Sequence, residues 1–275
     1  MVTFPNCKIN LGLNIINKRS DGYHDLETIF YPIQINDVLE IITHPSQDQN
    51  QFIEYTSSGL KIDGDINTNL CVKAFELLKK DFPNLPSIKM HLHKNIPMGA
   101  GLGGGSSDGA FVLSLIKQKY QLDISQEQLA YYALELGSDC PFFLLNKPCL
   151  AKGRGEVLTE IDLNLSQYQF LIVNPGIHIS TAWAFSKVNP SRAFYSIEET
   201  ILIPIGQWKS MLINDFEKPV VEHYPEIAEI LHQLYANGAV FASLSGSGSS
   251  VFGIFPKGPI NHLNFPKHYY IVQVD

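Results

Sequence analysis

A two-domain α+β fold is what this sequence predicts, and three observations carry the prediction. The chain has 275 residues, more than one average domain holds. Strand-like alternation and helix-like periodicity are interleaved along it, without internal repeats or low-complexity tracts. Residues 97–109 read P-M-G-A-G-L-G-G-G-S-S-D-G, six glycines in thirteen positions, and run straight into the amphipathic segment 110–116. The polar stretch 162–167 is the expected junction, giving an amino-terminal α/β domain over 1–160 and a carboxy-terminal domain over 161–275.

Residues 8–16 alternate apolar and polar positions and predict a strand, and 37–43 and 52–56 predict two more. Helical spacing predicts a helix over 69–80, and 88–93 is the strand that approaches the glycine-rich segment. Behind that segment Val112, Leu115, Ile116 and Tyr120 recur on one helical face, and Ser106, Ser107 and Asp108 are residue types that cap a helix start. Ser125-Gln126-Glu127-Gln128 spells a capping box for a helix that stops at Gly137. The apolar run 142–145 predicts a short buried strand, and 168–173 a longer one. Helices are expected at 181–188, 207–212 and 225–236, then a hairpin over 240–255 turned by Gly246-Ser247-Gly248.

Composition narrows the function classes. With 45% hydrophobic residues the chain has ample core material. Its 20 basic residues against 27 acidic ones give a net charge of −7, which argues against a nucleic-acid or anionic-membrane surface. Any anionic substrate must then be held by local positive charge. Cys7, Cys71, Cys140 and Cys149 contain no C-x-x-C pair and read as reduced thiols of a cytoplasmic protein. No stretch has the length or apolarity of a secretion signal or a membrane span.

The glycine-rich segment reads as a phosphate cradle opening a helix. Backbone without Cβ atoms can take φ > 0 and bring several N–H donors to one anion, and the helix behind adds its unpaired first-turn N–H groups. Gly99, Gly101 and Gly104 satisfy G-x-G-x-x-G, yet Pro97 ends the preceding strand too early for a dinucleotide fold. No Gly-Lys-Ser/Thr follows for a Walker loop, and no H-R-D or D-F-G segment supports a protein kinase. Asp108 has two readings. It caps the helix through N–H groups, or it meets the phosphates through magnesium; the cap is the favoured one.

Four further constellations have a bland reading beside a chemical one. Lys8 and Asn10 share one face of the first strand, as on any half-solvated strand, or as a pair that holds an anion or a substrate hydroxyl. Asp139 lies between a helix stop and Pro141, where an aspartate is structural unless an ammonium such as Lys8 keeps it ionised as a proton acceptor. Ser245-Gly246-Ser247-Gly248-Ser249-Ser250 is a hairpin turn or a second backbone approach to phosphates. Asp21-Gly22-Tyr23-His24 is a turn signature first, with an aromatic ring and an imidazole suited to a base.

Taken in order, Lys8-Ile9-Asn10-Leu11, Arg19 to His24, the glycine loop, Gly137-Ser138-Asp139-Cys140-Pro141-Phe142, Ala151-Lys152-Gly153-Arg154-Gly155-Glu156 and Ser245 to Gly248 resemble the successive motifs of the GHMP small-molecule kinases. The likeness covers nearly the whole chain. It implies a two-domain GHMP-kinase fold with a ferredoxin-like carboxy-terminal domain, ATP as co-substrate, Mg2+, and a monomer or weak homodimer. D-G-Y-H and the triple glycine before Ser-Ser imply a small-molecule substrate that is a cytidine diphosphate-linked methylerythritol, phosphorylated at its 2-hydroxyl in the non-mevalonate isoprenoid pathway.

Carried over residue by residue, the resemblance implies Asp139 as the catalytic carboxylate and Lys8 as its partner. Pro97, Met98, Gly99, Ala100, Gly101, Leu102, Gly103, Gly104, Gly105, Ser106 and Ser107 would wrap the ATP phosphates, with Asn69, Leu70 and Lys94 near the adenine. Asn10 would position the methylerythritol hydroxyls. Tyr23 and Phe185 would sandwich the cytosine, His24 would hydrogen-bond it, and Thr181 would touch the substrate. Asn6 and Cys7 before the lysine, and Ser138 and Cys140 around the aspartate, depart from the family's usual wording without changing the functional types.

Overall fold

The structure is a computed structural model and describes residues 1–44, 52–190, 195–260 and 263–275. The strands among them are β1 (Val2–Thr3), β2 (Asn6–Lys18), β3 (His24–Asn36), β4 (Val38–Thr43), β5 (Ile53–Gly59), β6 (Ile88–Lys94), β7 (Cys149–Lys152), β8 (Val157–Glu160), β9 (Tyr168–Asn174), β10 (Phe241–Leu244), β11 (Val251–Pro256) and β12 (Tyr270–Val274). The helices are α1 (Leu70–Asp81), α2 (Gly104–Tyr120), α3 (Gln126–Leu136), α4 (Cys140–Leu145), α5 (Thr181–Lys187), α6 (Ile197–Thr200), α7 (Glu217–His223) and α8 (Pro225–Ala236). Two compact units are built from interleaved segments: residues 1–7, 34–98 and 103–146 form the first, and 8–33, 99–102 and 147–275 the second. Residues 160 and 161, the expected boundary, both fall in the last of these segments.

In the first unit a four-stranded sheet has the order β1-β4-β6-β5. β4 runs antiparallel to β6, whereas β5 runs parallel to it, with Ile53 opposite Ile88 and Tyr55 opposite Met90. A parallel pair needs a long crossover, and α1 lies in the segment that supplies it. Ile88, Met90 and Leu92 are buried on one face of β6 while Lys89, His91 and His93 alternate on the other. α2 buries far more than one stripe. Ser107 to Ala110 and Val112, Leu113, Leu115 and Ile116 are all inside, because α1, α3 and α4 pack around it. Gly109 permits the close approach of α1: an added Cβ would lie 3.1 Å from Leu70 Cβ.

The second unit holds two sheets, ordered β2-β3-β7-β8 and β10-β11-β9-β12. The latter is fully antiparallel, with helices on it, as the ferredoxin-like expectation requires. Its core gathers Leu171 and Val173 of β9, Leu244, Val251 and Phe255 of the hairpin, Phe216 at the start of α7 and Val220 within it, and Ile227, Ile230 and Leu234 of α8.

The expected strand over 142–145 is instead helix α4. Pro141 sits in its first turn, where the ring's fixed φ suits a helix and its missing N–H costs nothing, and Asn146 ends it in the left-handed region (φ 51°). Four apolar residues in a row have no period that separates strand from helix. The segment expected as a helix over 207–212 is a 3-10 turn, Ile205–Ser210. The long β3 was not foreseen, since Pro32 interrupts its pattern and demotes a strand reading.

Candidate active site

The strand-to-helix passage of the cradle is as expected, but its start is capped differently. α2 begins at Gly104, and its N-cap is Gly103 in the left-handed conformation (φ 70°), with no side-chain cap. The N–H groups of Gly104, Gly105 and Ser106 therefore stand unspent along the helix axis, the arrangement that receives an anion. Ser106, Ser107 and Asp108 do not cap the helix; they lie inside it. Ser107 Oγ and Asp108 Oδ1 are buried without a hydrogen-bond partner.

Asp108 faces inward, to a buried lysine. Lys94, the last residue of β6, donates from Nζ to Asp108 Oδ2 at 2.7 Å and also to Asp37 Oδ2. Asp37 Oδ1 accepts the backbone N–H groups of Asn95 at 2.5 Å and Ile96 at 2.8 Å. One aspartate thus fixes the chain as it leaves β6, and one lysine ties that point to the second turn of α2. The favoured reading of Asp108, a helix cap, gives way to this one. An added Cβ on Gly104 would lie 3.0 Å from Lys94 Nζ, so the ammonium sits directly under the first residue of the helix. Burial pushes the Asp108 carboxyl up to about 8, with Lys94 opposing the shift and Asp37 adding to it. The two carboxylates outweigh burial at Lys94 and hold its ammonium above the usual lysine value.

A cavity of about 390 Å3 opens beside this triad, lined by Tyr55, Asn69, Leu70, Met98, Gly105 and Asp108 among others. That volume is in the range of small-ligand pockets. Asn69 caps α1, its Oδ1 accepting Cys71 N–H at 2.9 Å while its Nδ2 donates to the Tyr55 hydroxyl at 3.0 Å. The structure brings Asn69, Leu70, Met98 and Gly105 together here. The Lys94 ammonium is spent on the two aspartates, and the residue's carbonyl accepts the Leu60 N–H at 2.7 Å.

In the second unit, residues 99–102 of the glycine loop pack against the Ser245-Gly246-Ser247-Gly248 turn. Ser245 Oγ donates to Gly101 O at 2.9 Å and Ser250 N–H donates to Ala100 O at 3.0 Å. Gly101 has φ +85°, and a Cβ there would fall 1.9 Å from Ser245 O. Asn214 holds the turn from behind, its Nδ2 donating to Leu244 O and Gly246 O at 2.9 Å each. The hairpin reading holds, and the turn braces residues 99–102 of the glycine loop.

Lys8 and Asn10 are not on a half-solvated face: they are 3% and 1% exposed. Lys8 Nζ donates to Asn10 Oδ1 at 2.6 Å and lies 4.7 Å from the Phe30 ring centroid. Asn10 Nδ2 donates to Thr28 Oγ1 at 3.0 Å, and Lys8 N–H donates to Leu102 O at 2.9 Å. A buried ammonium and the glycine loop are therefore linked through one backbone hydrogen bond.

Asp139 occupies the N-cap position of α4, half-buried, and its carboxylate makes no capping bond to that helix. Cys140 beside it is no competing nucleophile, since burial pushes its thiol up to about 12. The four cysteines are free thiols.

Tyr23 is exposed at the end of the turn before β3, His24 stacks on Phe185 with ring centroids 4.7 Å apart, and Phe185 meets Phe216 edge-on at 4.9 Å. Thr181 opens α5 at the surface, with Ser180 as its N-cap. Sequence reasoning missed Asp37 and Asn214. Each is a lone polar residue whose only signal is a strand or turn boundary, and its partners are reached only in three dimensions.

An uncapped helix start that follows a glycine-rich loop suits a small-molecule kinase of the GHMP class. The family models agree: GHMP kinases N terminal domain matches residues 69–147, and GHMP kinases C terminal matches residues 202–263. The chain is 50% identical over 274 residues to the 4-diphosphocytidyl-2-C-methyl-D-erythritol kinase of Azobacteroides pseudotrichonymphae, covering 98% of this chain and all of that one. It is 51% identical to the enzyme of the same name from Bacteroides thetaiotaomicron, with 94% of each chain covered. A crystal structure of 4-(cytidine 5'-diphospho)-2C-methyl-D-erythritol kinase superposes with a TM-score of 0.77 at 32% identity, over 94% of this chain and 91% of that one. This chain belongs to the 4-diphosphocytidyl-2-C-methyl-D-erythritol kinase family of GHMP kinases. Membership brings ATP as the co-substrate and a small molecule as the acceptor. Among the described residues no helix is long and apolar enough to cross a membrane.

Proposed function

We propose that the chain transfers the γ-phosphoryl group of ATP to the 2-hydroxyl of 4-diphosphocytidyl-2-C-methyl-D-erythritol, in the non-mevalonate route to isoprenoid precursors. The acceptor oxygen bonds to the γ-phosphorus while the bond to the β–γ bridging oxygen breaks, releasing ADP. The observation that carries the reading is the uncapped start of α2 behind a loop of glycines. Phosphoryl transfer has a loose, in-line transition state, so positioning and charge stabilisation do most of the work.

In this reading the loop from Pro97 to Ser107 wraps the phosphates with its N–H groups. Asn69 and Leu70, which line the cavity of about 390 Å3, border the adenine, with Lys94 near it at the end of β6. Asp139 takes the proton of the acceptor hydroxyl, and the Lys8 ammonium opposes the charge that develops at the transferring group. Asn10, held at both ends of its amide, orients the methylerythritol hydroxyls. Tyr23, His24, Thr181 and Phe185 take the cytidine.

Magnesium enters with the nucleotide. Mg2+ keeps several waters and is held by phosphate oxygens with one or two protein groups, neutralising charge on the β- and γ-phosphates. Among the described residues no three or more His, Cys, Asp or Glu side chains gather into a ligand set.

An ADP-release assay run in parallel with 4-diphosphocytidyl-2-C-methyl-D-erythritol, mevalonate and homoserine tests the reading. Turnover of the first alone is expected. Preferential turnover of either other alcohol would reassign the acceptor.

A further inference from the structure

The turn Lys152-Gly153-Arg154-Gly155-Glu156 joins β7 to β8 and has no part in the transfer set out above. It is nevertheless built with care. Gly153 (φ +69°) and Gly155 (φ +112°) take left-handed backbone on either side of Arg154. Gly155 N–H donates to Lys152 O at 3.1 Å, and Leu26 N–H of β3 donates to Gly153 O at 2.7 Å, so the turn is closed on itself and fastened to the neighbouring strand. Glu156 folds back into it: Oε2 accepts Arg154 N–H at 2.5 Å, and Oε1 lies 3.5 Å from Arg154 Nε.

The braced turn holds the Arg154 guanidinium carbon 4.8 Å from the centroid of the Tyr23 ring. Tyr23 is 55% exposed even with the guanidinium over one face of its ring, so ring surface remains open to a ligand. Charge counts against a second role for this patch as a phosphate clamp. Arg19 pairs with Asp21 and Asp25, Lys152 with Glu27 and Glu198, and Arg154 with Glu156, which is three cations against five carboxylates. No positive charge is left over for a diphosphate. What the cation does instead is hold one face of an exposed ring, and a guanidinium is planar enough to lie flat on it.

We propose that Arg154 is a positioning residue for the nucleobase of the cytidylyl substrate, backing the Tyr23 ring on one face so that the base stacks on the other. The proposal rests on the reading of Tyr23 given under the proposed function. Without Arg154 the tyrosine has more orientations to give up when the base arrives, and an exposed cation–π contact of this kind is worth about 2- to 5-fold in an equilibrium.

Cytidine diphosphate is the probe, titrated calorimetrically into the full chain and into Arg154→Met, Tyr23→Leu and the double variant. Arg154→Met is expected to weaken binding about 2- to 5-fold in the parent. It should weaken binding no further once Tyr23 is leucine, because the arginine acts through the ring. In turnover its KM for the cytidylyl substrate should rise while the KM for ATP stays put. An equal loss in both backgrounds, no loss in the parent, or no binding of cytidine diphosphate by the parent would each overturn the proposal. Binding that behaves as expected in a chain that fails to phosphorylate the cytidylyl alcohol would instead overturn the proposed reaction and leave the arginine's role standing.

Discussion

Lys94 Nζ donates to Asp108 Oδ2 across 2.7 Å, and neither side chain keeps more than 3% of its surface. The pair joins the end of β6 to the second turn of α2, so the helix whose first-turn N–H groups are left uncapped is anchored by a buried charge from the strand before it. Asp37 completes the anchor from the other side and pins Asn95 and Ile96.

Removing the cation should therefore be costly. Lys94→Met leaves Asp37 and Asp108 buried and facing each other with no ammonium between them, and breaking a buried pair in this way costs about 3–5 kcal/mol. Denaturant unfolding of the variant should show a loss of that size, with weakened ATP binding beside it because α2 is no longer tethered. A loss under about 1 kcal/mol would mean that the triad is not what holds the helix.

Asp108 also sets a pH dependence whose sign can be worked out. Its carboxyl rises on folding from the usual 3.8 to about 8, so the folded chain holds that proton more tightly than the unfolded chain. The resulting stabilisation is whole below about pH 4 and drains away as pH climbs towards 8. Asp108→Asn cannot titrate. Melting temperatures of the two proteins measured from pH 4 to 8 should diverge steadily, the parent losing ground to the variant, with no further divergence above 8. Parallel curves would remove the buried titration.

Much of the fold was legible in sequence because local signals and tertiary structure agree there. The capping box at Ser125 and Gln128 forms as written, with both reciprocal bonds present. The hairpin around Gly246 and the strand running up to the glycine loop also form. Where local rules and packing compete, the reading failed. Ser107 and Asp108 have the chemistry of caps, but the glycines ahead of them let α2 begin at Gly104 and carried both into the core. Lys8 and Asn10 alternate like an exposed face, yet both faces of β2 are covered through most of its length. The glycine loop itself was plain, while its supports, Asp37 and Asn214, are single polar residues distant in sequence from what they hold.

The contact between the two glycine turns can be tested by size alone. Gly101→Ala places a methyl group 1.9 Å from Ser245 O, in addition to the strain of φ +85°. Gly176→Ala meets no atom within 4 Å at a similar φ of +76° and measures the strain by itself. That strain is about 1–2 kcal/mol. Gly101→Ala should lower the melting temperature more than Gly176→Ala and raise the KM for ATP, which the control should leave unchanged. Equal effects of the two on both readouts would mean that the packing of the turn on the loop has no bearing on nucleotide binding.

The assignment of proton acceptance to Asp139 and charge stabilisation to Lys8 divides into separable outcomes. Asp139 stands at the N-cap position of α4 without a side-chain capping bond, and the buried Lys8 ammonium donates to Asn10. Asp139→Asn keeps the shape and removes the base; kcat should fall roughly 10²-fold or more while ATP still binds, as loss of a general base commonly does. A dissociative path needs little proton transfer before attack, so retention of most of the turnover would make Asp139 a positioning group and leave the charge work to Lys8. Lys8→Met should lower kcat by a similar factor. Were its defect confined to KM, the ammonium would be binding substrate and transition state equally, which lowers the barrier for neither.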